Sequence, residues 1–444
     1  MPGLRIALVV ENISKVMGGE AQKIFVYLEK LQQRNYSVWL VCHSRVREEL
    51  RRELPPDQFE KISFVEDNRL QIFLWKLARL MPTRLRELVF GVAINIIFQL
   101  SARKTVKALV SREDIQVVFQ PTPNSPLIAS ALFNLGVPVV VGPLSGGMAF
   151  PPNFELDSAV TRWTMALSQM LAGVAHFWMP GKRKADHILV ANRRTKEMLP
   201  RGYRGTVHEG IIECGVDLRI WNPDQASPRT AGDAVRFVYT GRLVDWKGVN
   251  YLLDAFKLAC RDLDAVLHII GDGEMRPTLE AQAEALGIAD QVSFLGWMPH
   301  ETLKAHLSDC DAFVMPSLRE SCGNAVLEAM ALGRPAIAAD WGGPGMIVDS
   351  TCGIKVTPTT PNEFVDGLAS AMVILGQSPD LRARLGQAGL QRIRSQHFDW
   401  DSKVDYITAL FEEVCQPLSS QVIQSPQSAP SESPNGSSHR APVV

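Results

Sequence analysis

Two glutamates, Glu320 and Glu328, bracket the stretch Glu320-Ser321-Cys322-Gly323-Asn324-Ala325-Val326-Leu327-Glu328. A strand-like run, Phe313–Met315, precedes them, and a helix-like run, Ala325–Leu332, begins between them. Glu320 is therefore expected in a loop at the carboxyl end of a strand, where open α/β sheets place their ligands. The backbone N–H groups of Cys322, Gly323 and Asn324, with Ala325 beside them, then point from the start of the helix into the same crevice. A helix N-terminus favours an anion such as a diphosphate. Glu328, about two turns further on, is placed to accept hydrogen bonds from hydroxyls such as those of a ribose. In isolation, such a pair would serve equally well as solvated or capping residues.

A second cluster, Gly241-Arg242-Leu243-Val244-Asp245-Trp246-Lys247-Gly248, directly follows the strand-like run Arg236–Thr240. Gly241 permits close approach of backbone to a phosphate, and Arg242 and Lys247 supply two cations near one strand end. A departing nucleoside diphosphate gathers negative charge. Fixed cations and a helix dipole would stabilise that charge without a metal. Both clusters fall on strand ends of one domain, which favours a shared site over scattered surface charge.

The elements that must position these residues alternate along the chain. Arg5–Val10 is a short apolar run, the turn at Met17-Gly18-Gly19 follows, and Glu20–Gln33 has apolar residues at Ile24, Leu28 and Leu31. Strands are expected again at Val38–Cys42, Val117–Phe119 and Pro138–Val141. After the polar break Asn222–Asp233, read as an interdomain linker, the pattern restarts. Arg236–Thr240, Ala265–Ile270, Val292–Leu295 and Phe313–Met315 read as strands; Val249–Ala259, Met275–Leu286 and Ala325–Leu332 read as helices. Alternation of this kind predicts two Rossmann-like, doubly wound α/β domains. From Gln416 onward Ser, Pro, Gln and Asn dominate, and disorder is expected there.

The 444 residues exceed what one hydrophobic core usually supports. The net charge of −1 hides opposed halves: residues 1–225 hold 29 Lys and Arg against 21 Asp and Glu, leaving 17 against 26 for the remainder. A half of charge +8 facing one of −9 gives no nucleic-acid footprint. It does suit an anionic acceptor or anionic lipid headgroups. Leu70–Leu109 and Trp163–Pro180 combine apolar runs with basic residues such as Lys76, Arg79, Arg103, Lys182 and Arg183. They read either as amphipathic helices lying in a membrane interface or as core helices on a sheet. Seven cysteines, odd in number and without C-x-x-C spacing, argue against a disulfide framework and a structural zinc site. A reducing cytoplasm is the expectation, and no run is long enough to span a bilayer.

Taken together, the motifs resemble those of the retaining family-four glycosyltransferases, which have the GT-B fold. The resemblance is carried by Gly241-Arg242-Leu243 with Lys247-Gly248, Ile270-Gly271-Asp272-Gly273-Glu274, Phe294-Leu295-Gly296-Trp297 and the glutamate pair. It implies that Arg242 and Lys247 hold the diphosphate and Glu328 the ribose. Glu320 with Cys322, Gly323 and Asn324 would hold the donor sugar and phosphate, and Gly296-Trp297 the base. Met17-Gly18-Gly19-Glu20 looks like the family's first glycine loop, so Gly19 would line the cleft. Many relatives place a histidine after a central strand; Phe119–Pro126 has none, leaving Thr122, Asn124 and Ser125 as candidate polar contacts. Gly142–Met148 is a second glycine-rich loop, read either as facing the acceptor or as a plain turn. Glu213-Cys214-Gly215-Val216-Asp217 resembles the family's Asn-Gly-Val-Asp, with Cys214 in place of asparagine. No His or Asp partner is placed for Cys214, so it is not read as a nucleophile.

By this resemblance the chain divides into an acceptor-side domain, 1–222, and a nucleotide-sugar-binding domain, 223–397. A terminal helix, 398–415, crosses back to the first domain, ahead of a disordered tail, 416–444. The implied activity is retaining transfer of a sugar from a nucleoside-diphosphate sugar to a hydroxyl of a glycan or lipid-linked acceptor, with no metal or other cofactor, in polysaccharide or glycolipid biosynthesis. The expected location is cytoplasmic, with contact to the inner face of the membrane. Rival readings are a glycoside hydrolase, which shares the two carboxylates but needs no phosphate site, a silent sugar-nucleotide-binding protein and a GT-B-type epimerase.

Overall fold

The computed structural model describes residues 3–68, 71, 92–146, 149–154, 172–223 and 234–416. Residues 69–70, 72–91, 147–148 and 155–171, the greater part of the linker and the tail from 417 lie outside them. The membrane-interface and linker expectations fall partly on those segments.

Two all-parallel sheets carry the described residues. The first contains β1 (Arg5–Val9), β2 (Ser37–His43), β3 (Ile62–Val65), β4 (Val117–Gln120), β5 (Val139–Leu144), β6 (His187–Val190) and β7 (Thr206–Glu209), in the order β3-β2-β1-β4-β5-β6-β7. The second contains β8 (Val235–Thr240), β9 (Ala265–Ile270), β10 (Val292–Gly296), β11 (Ala312–Met315), β12 (Ala336–Ala339) and β13 (Gly353–Val356), in the order β10-β9-β8-β11-β12-β13. Inner strands such as β1, β4 and β11 are almost wholly buried, as parallel strands covered on both faces must be.

Strand order reverses direction between β1 and β4 in the first sheet and between β8 and β11 in the second. Loops leaving adjacent strands at such a switch point diverge to opposite faces and open a crevice beyond the strand ends. The β1 loop leads to helix α1 (Gly18–Gln33), and β4 leads to Asn124. Gly241–Lys247 follows β8, and Glu320 follows β11 ahead of helix α2 (Asn324–Ala331). Each domain thus delivers its motif residues to its own crevice.

The terminal helix α3 (Trp400–Cys415) is capped by Asp399, whose carboxylate accepts from Ser402 N–H at 2.9 Å. His397 adopts a left-handed φ of 55° and closes the preceding helix. From there α3 lies on the first domain. Trp400, Val404, Ile407, Leu410 and Phe411 join the core of β1, β2 and β4, and Tyr27 stands edge-on to both Phe119 and Trp400 at 5.4 Å. The buried amine of Lys30 reaches Asp401 at 2.6 Å, and Arg34 reaches Asp405 at 2.6 Å.

Fully buried Phe411 packs on Phe119 with ring centroids 5.3 Å apart. Phe411→Ala is expected to destabilise the first domain by about 3–5 kcal/mol, read by chemical denaturation. A loss below about 1 kcal/mol would mean that the helix does not seat there.

Candidate functional site

The facing crevices enclose a cavity of about 530 Å³ lined from both domains. From the second domain come Gly241, Lys247, Glu320, Ser321, Cys322, Gly323, Asn324, Ala325 and Glu328, and from the first Gly19, Glu20, Lys23, Asn124 and Glu213. Trp400 of α3 also contributes. Most donor-side residues singled out in the sequence therefore share one wall.

Lys247 lies in a single 3₁₀ turn, Asp245–Lys247, ended by left-handed Gly248 at φ 69°. A side chain at Gly248 would meet the carbonyl oxygen of Pro316 at 2.3 Å, so this turn can lie against the β11 loop only with glycine there. The contact brings the Lys247 ammonium onto the Glu320 carboxylate as a half-buried ion pair. Gly343 N–H donates to the Glu320 carbonyl at 2.8 Å and holds the loop from its other side. Gly323, at φ 119°, caps α2 and aims its first N–H groups into the cavity. Glu328 stands one helical face further on, and burial pushes its carboxyl up to about 7.

Arg242 departs from expectation. It follows Gly241, but its side chain is exposed and does not form part of the cavity wall, so among the described residues Lys247 is the basic group that faces Glu320. Gly271, Gly296 and Trp297 also lie off this wall. Gly271 N–H donates to Gly296 O at 2.8 Å, and a side chain at Gly271 would sit 2.0 Å from Gly241 O. The ends of β8, β9 and β10 thus meet backbone to backbone, leaving Trp297 77% exposed at the adjoining rim.

The wall supplied by the first domain holds residues the sequence reading missed. Glu213 is buried, and its carboxylate accepts from Lys23 at 3.2 Å, Ser145 at 2.8 Å and the Asn124 amide. Lys23 also donates to Asn124 Oδ1 at 2.8 Å. Asn124, one of the polar candidates after β4, thus faces the cavity, whereas Ser125 turns its carbonyl to the buried Lys182 amine at 2.6 Å. The one sequence signal for Lys23 is its place next to Ile24 on the inward face of α1.

A disulfide joins Cys214 to Cys322, with Cα atoms 6.1 Å apart and a sequence separation of 108. The expectation of no disulfide is overturned, since local spacing rules cannot see a bond made by the meeting of two domains. The bond ties the glutamate loop to the segment leaving the first domain. There Lys403, fully buried with its ammonium pushed down to about 7, donates to the Cys214 carbonyl. Among the described residues no group of three or more His, Cys, Asp or Glu side chains is placed to hold a metal ion.

Residues 223–392 match the family model of the glycosyl transferases group 1. Similarity to curated proteins extends over up to half of this chain. It is 31% identical over 179 residues to alpha-D-kanosaminyltransferase of Streptomyces kanamyceticus, covering 40% of this chain and 45% of that protein. It is 31% identical over 223 residues to glycogen synthase of Mycobacterium tuberculosis, covering 50% and 52%. The aligned stretches span about half the length of these relatives. The whole fold is GT-B: a Rickettsia africae glycosyltransferase superposes with a TM-score of 0.60 at 13% identity over 93% of this chain and 99% of its own. Anabaena HepE in complex with UDP gives 0.59 at 16% identity, over 92% and 100%.

Two outcomes follow. Below about pH 7 Glu328 is protonated, and above it the carboxylate, a stronger acceptor for hydroxyls, forms. If Glu328 holds a ribose, as the motif resemblance implies, nucleoside diphosphate affinity is expected to rise as pH passes upward through about 7, and Glu328→Gln to flatten that dependence; a wild-type profile already flat would contradict that role. Alkylation of the unfolded, unreduced chain is expected to label the five free cysteines, and all seven only after reduction. Seven labels without reductant would refute the disulfide.

Proposed function

We propose that this chain is a glycosyltransferase that moves a sugar from a nucleoside-diphosphate sugar to a hydroxyl of a glycan or lipid-linked acceptor, in polysaccharide or glycolipid biosynthesis. The observation that carries this reading is the placement of Lys247, Glu320 and the N-terminus of α2 around one cavity closed by a second domain. A diphosphate entering there would take the ammonium of Lys247 from Glu320 and meet the free N–H groups of α2. Glu320 would then be released toward the hydroxyls of the donor sugar. Glu328 would hold the ribose, and exposed Trp297 beside Gly296 would cover the base.

Transfer is proposed to be retaining and metal-independent. The bond from the anomeric carbon to the diphosphate oxygen breaks as the acceptor oxygen adds on the same face, and the acceptor's proton passes to the departing phosphate oxygen. No carboxylate base is required. Lys247 and the α2 dipole would take up the charge that grows on the leaving group, and the two-domain cavity would hold the reactants together and dry.

Contact with an anionic membrane surface fits the exposed aromatic pair Phe177 and Trp178, 70% and 74% accessible, with half-buried Arg183 sharing a cavity wall with Phe177. No described helix is long and apolar enough to cross a membrane. Placement on the inner, cytoplasmic face rests on the donor reading, because the Cys214–Cys322 bond removes the support drawn from free thiols.

Thermal-shift titration with UDP and GDP is expected to stabilise the chain with one of them, and the matching sugar donor to be turned over. Lys247→Ala should lower turnover by about 10²–10³-fold. Indifference to both nucleotides, or full activity in Lys247→Ala, would sink the proposal.

A further inference from the structure

A second, smaller cavity of about 210 Å³ lies on the far side of Glu320 from the donor wall. It too is built from both domains. Asn192, Arg193 and Arg194 come from the segment after β6, and Arg319, Asp340 and Trp341 from the loops after β11 and β12. Glu320 is common to both cavities, so a molecule seated in the smaller one lies next to the reacting end of the donor site.

Its charge is unbalanced in a particular way. The two carboxylates on its wall are already engaged with lysines, Glu320 with Lys247 and Asp340 with Lys355 at 2.8 Å. Arg193 pairs with exposed Glu197 at 3.1 Å. Arg194 and Arg319 make no ion pair among the described residues and instead lie on aromatic rings. The Arg194 guanidinium sits 4.0 Å from the ring centre of Trp341, and that of Arg319 sits 5.7 Å from Phe150. Stacking fixes the plane of a guanidinium and leaves its N–H fork free for an oxyanion. Trp341 is itself held across the domain boundary, its indole N–H donating to the Ala149 carbonyl at 2.8 Å.

We infer that this cavity is the subsite for an anionic group on the acceptor, a phosphate or a carboxylate, gripped between Arg194 and Arg319 while the acceptor hydroxyl reaches past Glu320 to the donor. The inference rests on the glycosyltransferase reading above and narrows it from any hydroxylated acceptor to a negatively charged one. Because one arginine comes from each domain, the grip is complete only when the cleft is assembled.

The test is calorimetric titration of the full chain with inorganic phosphate while saturating nucleoside diphosphate fills the donor cavity. Wild type is expected to bind phosphate, and Arg194→Ala with Arg319→Ala to weaken it at least about tenfold. Arg194→Lys with Arg319→Lys, which keeps the charge, should recover part of the binding at an unchanged melting temperature. Glycerol 1-phosphate and glucuronate, titrated in the same way, separate a phosphorylated acceptor from a sugar acid. Phosphate binding that is absent, or that survives loss of both arginines, overturns the inference while leaving the donor site standing. Failure of the nucleotide alone to bind strikes the proposed function instead, and phosphate titration of Lys247→Ala without nucleotide still tests the arginine pair.

Discussion

The seating of one helix on the wrong domain, in sequence terms, is the constraint on which the cleft depends. Trp400–Cys415 follows the second domain along the chain yet buries its apolar face in the core of the first. Trp400 does double duty, packing on Tyr27 and showing an edge to the donor cavity. With residues 213–217 beside it, paired in parallel through Val216 and Asp399, the domains are joined by two crossings of the chain rather than one. A double crossing leaves mainly a bending freedom. That is the motion a cleft needs in order to admit and then enclose a reactant.

Around that hinge the polar groups are arranged so that the charges lining the cleft have partners. Glu213 is covered by a lysine, an amide and a hydroxyl. Glu320 is covered by Lys247, and the carbonyl of Cys214 by Lys403. Buried charges without partners would cost several kcal/mol each, so these pairings are what allow the cavity to be both charged and stable. They also make it responsive. An anion that takes Lys247 frees the carboxylate beside it, so ligand binding and exposure of Glu320 are one event.

How much of this could be read along the chain depends on whether the signal was local. Ala265–Ile270 and Val249–Ala259 match the expected spans, because an uninterrupted apolar run and a clear 3.6-residue period leave little choice. β7 escaped notice because Thr206–Glu209 is a polar edge strand, and β12 because Ala336–Ala339 is too short and small to announce itself. The glutamate loop and Lys247 were legible as motif residues on neighbouring strand ends. Arg242 stands exposed and outside the cavity wall, since adjacency to Gly241 fixes where a residue sits and not which way it points. Lys23, Glu213 and the Cys214–Cys322 bond were invisible for one common reason: each acquires its meaning from a partner about a hundred or more residues away.

The disulfide has a mechanical consequence. By joining Cys214 to Cys322 it closes a covalent ring that contains β8 to β11, including both strands of the second switch point. Tension applied to the two ends of the chain runs through the sulfur–sulfur bond and bypasses everything inside the ring. The oxidised chain would therefore stretch short of its full contour by roughly 350–390 Å, at about 3.3–3.6 Å for each shielded residue. The strands that carry Lys247 and lead to Glu320 are thus the part of the molecule on which a pull from outside cannot act.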